Sequence, residues 1–279
     1  MKRFLLFVLL LIHFMFDAQA CILEIKYFYT TYMSNILENK DNSELCKSFM
    51  SGGLIEKMKR VSASTDCDAI IRAQDVNKNA IKTLKVKELG NDWYMVTYSL
   101  YDKIPEWYKG STEPTCIPIK AVHKEGKCLI VYITPIWNNC MYGDELICNY
   151  NNCESVIDTS SAINFIKSFY NEYLSSFYNM KENLETAVSS LRSEYLTQNG
   201  KSQFKSKRNI YLQDGYDGYD LLIDNFDFDY TWRNSIEINH IKDNMYEFSY
   251  TVAKYKVRIQ ITLSVTNGIY QIDSIARAM

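Results

Sequence analysis

With 279 residues, 47% of them hydrophobic and 23% charged, the chain is long enough for two domains of roughly 115–120 residues, each able to bury a modest core. Its 31 basic residues face 33 acidic ones, for a net charge of −2, and that balance excludes the basic surplus with which proteins neutralise nucleic-acid phosphates. Ten glycines leave little room for phosphate-binding loops, and neither a Gly-x-Ser-x-Gly elbow nor a His-Glu-x-x-His zinc helix occurs.

Residues 1–20 read as a signal peptide. Lys2 and Arg3 precede an apolar run from Phe4 to Phe16, and Asp17-Ala18-Gln19-Ala20 supplies an A-x-A end. The run is shorter than the about 18 residues of a membrane-crossing helix, and no second apolar span follows. The expected location is periplasmic or secreted. Cleavage after Ala20 leaves Cys21 at the new N-terminus, where acylation of the thiol marks a bacterial lipoprotein. Ala18-Gln19 departs from the lipobox, which has Leu three residues before the cysteine. Cys21 is the lipidation candidate, and a lipid there is the sole membrane contact expected.

A first domain, residues 21–137, opens on a helix with Ile25, Phe28, Tyr29, Tyr32 and Ile36 at 3.6-residue spacing. A second helical segment carries Met50, Leu54 and Ile55. Asp68 then precedes Ala69-Ile70-Ile71 as an N-cap would, accepting hydrogen bonds from free amides at a helix start. Strands follow with period-two alternation: Leu84-x-Val86, Tyr94-x-Val96-x-Tyr98 and Ile117-x-Ile119-x-Ala121. Gly90-Asn91-Asp92 falls where a hairpin turn belongs.

Residues 138–159 form a cysteine-bearing linker, and residues 160–279 repeat the first domain. Ile25–Asn35 and Ile166–Ser176 share six of eleven residues at an offset of 141, which also sets Met50, Leu54 and Ile55 against Leu191, Tyr195 and Leu196. The offset becomes 152 where Asp68 meets Asp220 and Asp75 meets Asp227, and 142 where Ile117 meets Ile259 and Gly126 meets Gly268. Asp75 and Asp227 read as caps, with paired functional carboxylates as the sharper alternative. Each copy is thus helices followed by four antiparallel strands, an α+β pattern. This order and these motifs resemble the nuclear-transport-factor-2-like superfamily, and more closely a bacterial exported branch of unassigned function. The resemblance implies two tandem cone-shaped domains, each with N-terminal helices packed on a curved four-stranded antiparallel sheet. Members include acid–base isomerases and dehydratases as well as inert binding domains, so the fold does not choose a function.

Beyond the leader, two histidines remain, His123 and His240, and neither copy keeps the other's. Both fall near strand ends beside turns, a poor place for a catalytic base. All eight cysteines precede Glu154, and in an exported chain they read first as disulfides. Cys46 with Cys67 is the favoured pair, with Cys116, Cys140, Cys148 and Cys153 as further candidates. Zinc is the alternative, but these spacings are not CxxC and no histidine is near.

What the copies do not share is where function is expected. The first has ten extra residues between Tyr98 and Ile117, bringing Tyr101, Trp107 and Tyr108. Flat aromatics there suit a contact surface. The second has eleven extra between Asn199 and Asp220, bringing Tyr216, Tyr219 and the aspartates 214 and 217. With Asp224, Asp227 and Asp229 these could ligate calcium, although turn chemistry explains them more simply. Tyr101, Trp107, Tyr108, Tyr216 and Tyr219 are the candidate contact residues. The sequence therefore suggests an exported non-catalytic binding or interaction module, engaging an unknown protein or small ligand in the cell envelope, with no nucleic acid and no cofactor called for. The alternative is a hydrolase or isomerase using one cone as an acid–base pocket.

Overall fold

The computed structural model describes residues 2–101, 113–148, 157–180, 183–215 and 218–278, with residues 2–19 as backbone alone. The fold is α+β, with two four-stranded antiparallel sheets. Two compact units divide it: Met1–Met58 with Asp66–Gly143, and Lys59–Thr65 with Asp144–Met279. Among the described residues no helix is long and apolar enough to cross a membrane. Of the predicted signal peptide, residues 1–20, the side chains of 1–19 lie outside the description, and helix α1 (Lys2–Leu37) continues through Ala20.

The helices start where side chains can satisfy free amides. After α2 (Ser43–Phe49), Ser51 caps α3 (Gly52–Thr65) by accepting from Leu54 N, and Asn77 caps α4 (Lys78–Thr83) by accepting from Asn79 N and Ala80 N. The second unit repeats the device. Ser161 caps α5 (Ala162–Tyr178), Thr197 caps α7 (Gln198–Gln213), and α6 (Leu184–Tyr195) lies between them. In place of α4 stands a 3₁₀ turn, Tyr230–Ser235, capped by Asp229.

Each sheet is a simple meander, β1 (Lys85–Gly90), β2 (Trp93–Tyr98), β3 (Thr115–Lys124) and β4 (Lys127–Ile133) in the first unit. In the second they are β5 (Glu237–Lys242), β6 (Met245–Val252), β7 (Tyr255–Thr266) and β8 (Ile269–Arg277). Register breaks recur at matched positions. One lies between Glu88 and Gly90 and between His240 and Lys242; the other lies between Lys120 and Ala121 and between Thr262 and Leu263. Bulges of this kind bend a sheet and raise its twist. The hairpins after β3 and β7 turn on Glu125-Gly126 and Asn267-Gly268, both residues of each pair at positive φ. That is the geometry a tight two-residue hairpin requires, and glycine meets it without steric cost.

The cores follow the predicted periodicities. On α1, Ile25, Phe28, Tyr29 and Tyr32 are buried, with Met33 rather than Ile36 completing the stripe. On α5, Ile166, Phe169, Tyr170, Tyr173 and Phe177 are all buried. Facing them are Val96, Tyr98, Ile117 and Ile119 in the first sheet, and Phe248, Tyr250, Ile259 and Ile261 in the second.

Two expectations are corrected. Asp68 and Asp220 do not start helices; each heads a tight turn closed by an antiparallel bridge, Asp68 to Ala73 and Asp220 to Asn225. The amides are capped all the same, Ile70 N at 2.8 Å and Leu222 N at 2.8 Å. In the second helical segment, Met50 bridges Ile130 and Leu196 bridges Ile272. Leu196, not Leu191, therefore matches Met50, because α6 has 12 residues where α2 has 7.

Candidate functional site

Most residues singled out in the sequence do not converge. His123 and His240 are exposed at strand ends, and His240 spends its Nε2 on Asp243 O at 2.8 Å. Asp75 is exposed and bonds the amide of Val76. Asp227 is fully buried, with Arg60 Nε donating to its Oδ1 at 2.9 Å. Tyr101 is half-buried, while Trp107, Tyr108 and Tyr216 lie outside the described residues. Tyr219 is not on the surface: only 4% exposed, it stacks on Tyr211 and gives its hydroxyl hydrogen to Asp224. Of the aspartates considered as calcium ligands, Asp214 follows α7 and Asp217 lies outside the described residues, while the others are turned onto partners of their own. Asp220 meets Tyr173 and Arg192, Asp224 meets Tyr219 and Arg277, and Asp229 caps Thr231. Among the described residues no three His, Cys, Asp or Glu are grouped to hold a metal ion.

The cysteines pair differently from expectation. Cys21 is joined to Cys128 on β4, and both are buried. This corrects the lipidation reading, since one sulfur cannot hold both a disulfide and a thioether. Cys46 and Cys67, the favoured pair, are not joined in a disulfide, nor are Cys116 and Cys140. Cys148 is disulfide-bonded and Cys153 lies outside the described residues.

What the structure does assemble, in each unit, is a buried tyrosine–aspartate pair. In the second, Tyr173 Oη donates to Asp220 Oδ2 at 2.6 Å. Arg192 on α6 donates to the same oxygen at 3.2 Å and to Tyr173 Oη at 2.9 Å. Its other nitrogen reaches Glu185 at 2.6 Å, and the guanidinium lies 4.4 Å over the Phe204 ring. Burial pushes the Asp220 carboxyl up, opposed by Arg192 and Tyr173. The guanidinium is itself shifted up by its neighbours despite burial, so a fixed cation faces Asp220 and favours its charged form against the burial. In the first unit Tyr32 donates to Asp68 Oδ2 at 2.8 Å, and burial raises this carboxyl too. Here no cation bonds the aspartate among the described residues; the position matching Arg192 is Cys46, a buried thiol.

Tyrosine hydroxyls also tie each turn to its sheet: Tyr98 to Ile71 O at 2.5 Å, Tyr250 to Ile223 O at 2.7 Å and Tyr170 to Leu222 O at 3.0 Å. A general acid or base has to reach a substrate within hydrogen-bond distance. Asp220 and Tyr173 are sealed in, so the network holds the fold.

Two clefts open on the second unit. One of about 240 Å³ runs between α6 and α7, lined by Ser189, Arg192, Ser193, Leu196, Lys201 and Phe204. The other, about 200 Å³, lies between α5 and β5. Tyr170, Leu174, Ile236 and Ile238 wall it, Asn171 and Tyr178 add polar atoms, and Lys167 and Arg233 supply two cations. Among the described residues neither cation has a carboxylate partner. Arg233 packs over the Tyr230 ring at 4.7 Å and faces the Tyr178 hydroxyl. By the cap match of Asn77 with Asp229, Arg233 corresponds to Ile81, so the first unit lacks the second cation. Sequence reading passed over Arg233 because nothing in a six-residue 3₁₀ turn signals that it faces a helix.

The chain matches no family model, and no curated protein matches it. A solved structure of a protein of unknown function from Bacteroides thetaiotaomicron VPI-5482 aligns over 41% of this chain and 88% of its own, at 28% identity with a TM-score of 0.36.

Proposed function

We propose that the chain is an exported, non-catalytic binding protein built from two tandem cone-shaped domains of the nuclear-transport-factor-2-like class, residues 21–137 and 160–279, joined by the linker 138–159. The observation that carries the non-catalytic reading is the filling of the sheet face on which an acid–base member of that class would keep its pocket. Tyr170 stacks on Phe248 at 3.6 Å between centroids, and Phe228, Trp232 and Tyr250 pack edge and face beside them. The basic leader with its apolar run supports export, and so does the buried Cys21–Cys128 bond, which suits an oxidising compartment.

Binding is assigned to the cleft between α5 and β5. Two cations with no carboxylate partner among the described residues, beside an apolar and aromatic wall, fit a small ligand with one anionic group, carboxylate or phosphate, on a ring or short apolar body. Calorimetric titration with benzoate and phenyl phosphate tests this. We expect saturable binding that weakens about tenfold or more in Arg233→Ala, the loss of one charge-assisted hydrogen bond, and less in Lys167→Ala. Equal affinity in both variants would remove the cleft from the proposal. Turnover of either probe that is abolished by a substitution in the buried Tyr173–Asp220 pair would replace binding by catalysis.

A further inference from the structure

Cys116 lies at the start of β3, its thiol donating to Pro114 O, and Cys140 follows the 3₁₀ turn after β4, yet the two thiols are neighbours in the first unit. Arg72 brings them together. Its guanidinium is largely buried and meets no carboxylate among the described residues. Nη1 donates to Cys116 O at 2.5 Å and to Asn139 O at 2.6 Å, and Nη2 to Thr134 O at 2.7 Å and Pro135 O at 3.1 Å. One nitrogen therefore binds the carbonyl of Cys116 and the carbonyl of the residue before Cys140. Thr134 closes the clamp from below, its N and Oγ1 both donating to Pro118 O, at 3.1 and 3.0 Å. The clamp holds the start of β3 beside the segment that carries Cys140.

We infer that Cys116 and Cys140 are a disulfide-forming pair, closed by thiol–disulfide exchange with an oxidised low-molecular-weight thiol or an oxidoreductase disulfide. Cys140 is exposed and attacks first. As the thiolate it bonds one sulfur of the oxidant, whose S–S bond breaks and whose other sulfur leaves as a thiolate. Cys116 then attacks the Cys140 sulfur of this mixed disulfide and expels the second thiolate. The protein loses two electrons and two protons; the oxidant takes both and departs as two thiols. The order follows from the environment of Cys116. Burial and the neighbouring Cys140 push it up to about 11, against the pull of Arg72, so it holds its proton until a leaving thiolate beside it can take that proton. The product is a covalent clasp between the start of β3 and the segment after β4, which presents Ile136, Met141 and Tyr142 at the surface.

Peptide mapping of the full chain recovered from an oxidising compartment, alkylated before digestion and never reduced, is the test. A cross-linked Cys116–Cys140 peptide, two hydrogens lighter than its halves together and released by dithiothreitol, is the expected result. Separate alkylated Cys116 and Cys140 in protein whose Cys21–Cys128 bond is intact would overturn the proposal, as would either sulfur bonded to another cysteine. A second reading uses fully reduced protein titrated with oxidised glutathione. Here the intramolecular bond is expected, and lasting glutathione adducts on both cysteines are the contrary outcome. In Cys116→Ser the resolving sulfur is gone, so Cys140 should keep one glutathione as a stable adduct; an unmodified Cys140 would refute the assigned order.

Discussion

The two units bury the same carboxylate in different company. In the first, Asp68 accepts from one hydroxyl, Tyr32, and from backbone amides, and Cys46 stands at the position that matches Arg192. In the second, Asp220 has Tyr173 and the guanidinium of Arg192, itself braced by Glu185 and stacked on Phe204. The tyrosines one turn earlier differ in the same sense. Tyr170 bonds Leu222 O, whereas Tyr29 buries its hydroxyl without a partner. A buried charge is tolerable when it is paired and hydrogen-bonded, and costly when it is not. The comparison teaches that the pair is a shared structural device completed in only one copy, which is the reverse of what a catalytic residue kept for its chemistry would show.

The largest expected effect comes from breaking the completed copy. Arg192→Met keeps the bulk against Phe204 but removes the cation paired with the buried Asp220, at a cost of about 3–5 kcal/mol. Hydrogen exchange read on α5 and β6 should show that loss in the second unit. In the first unit, Cys46→Ser removes no charge partner, and protection there should change far less. Comparable losses in the two units would mean that Arg192 contributes by packing alone.

Next in size is the hydroxyl itself. Tyr173→Phe removes two hydrogen bonds to charged groups, one to Asp220 and one from Arg192, and should cost about 1–3 kcal/mol. Tyr32→Phe removes one, to Asp68, so its cost belongs at the lower end of that range. Denaturant titration of the two variants side by side measures the difference. A larger loss for Tyr32→Phe would invert the comparison.

How much of this was written in the sequence depends on distance along the chain. Alternation such as Tyr94-x-Val96-x-Tyr98 and the 3.6-residue stripe of α5 reported local environment, and both cores follow them. The bulges at Ala121 and Leu263 also fall at positions the repeat had matched. The register of the second helical segment was hidden because α6 is longer than α2, and a constant offset slid Leu191 under Met50. That slip concealed the substitution of Arg192 for Cys46, the difference on which the site turns. Cys21 and Cys128 are 107 residues apart. Proximity in sequence favoured Cys46 with Cys67, because only the fold lays the middle of α1 against β4.

The smallest expected effect is the most selective. Burial holds the Asp68 carboxyl above its ordinary value of 3.8. Below that pH both folded and unfolded chains carry the proton, and Asp68 adds no penalty. As pH rises past it the unfolded chain releases its proton first, so stability falls until the folded carboxyl also ionises, and is flat beyond. Asp68→Asn keeps Oδ1 as the acceptor for Ile70 N and turns an NH2 toward the Tyr32 oxygen, as the protonated carboxyl turns its O–H, but it has no proton to lose, so at low pH it should differ from wild type by no more than about 1 kcal/mol. Denaturant unfolding across the acid range should then show the variant gaining on wild type as pH rises through that window. Asp220 titrates in both proteins and cancels from the difference. A constant gap between the two profiles would mean that Asp68 carries no pH-dependent penalty, and that the first unit compensates its carboxylate as well as Arg192 does in the second.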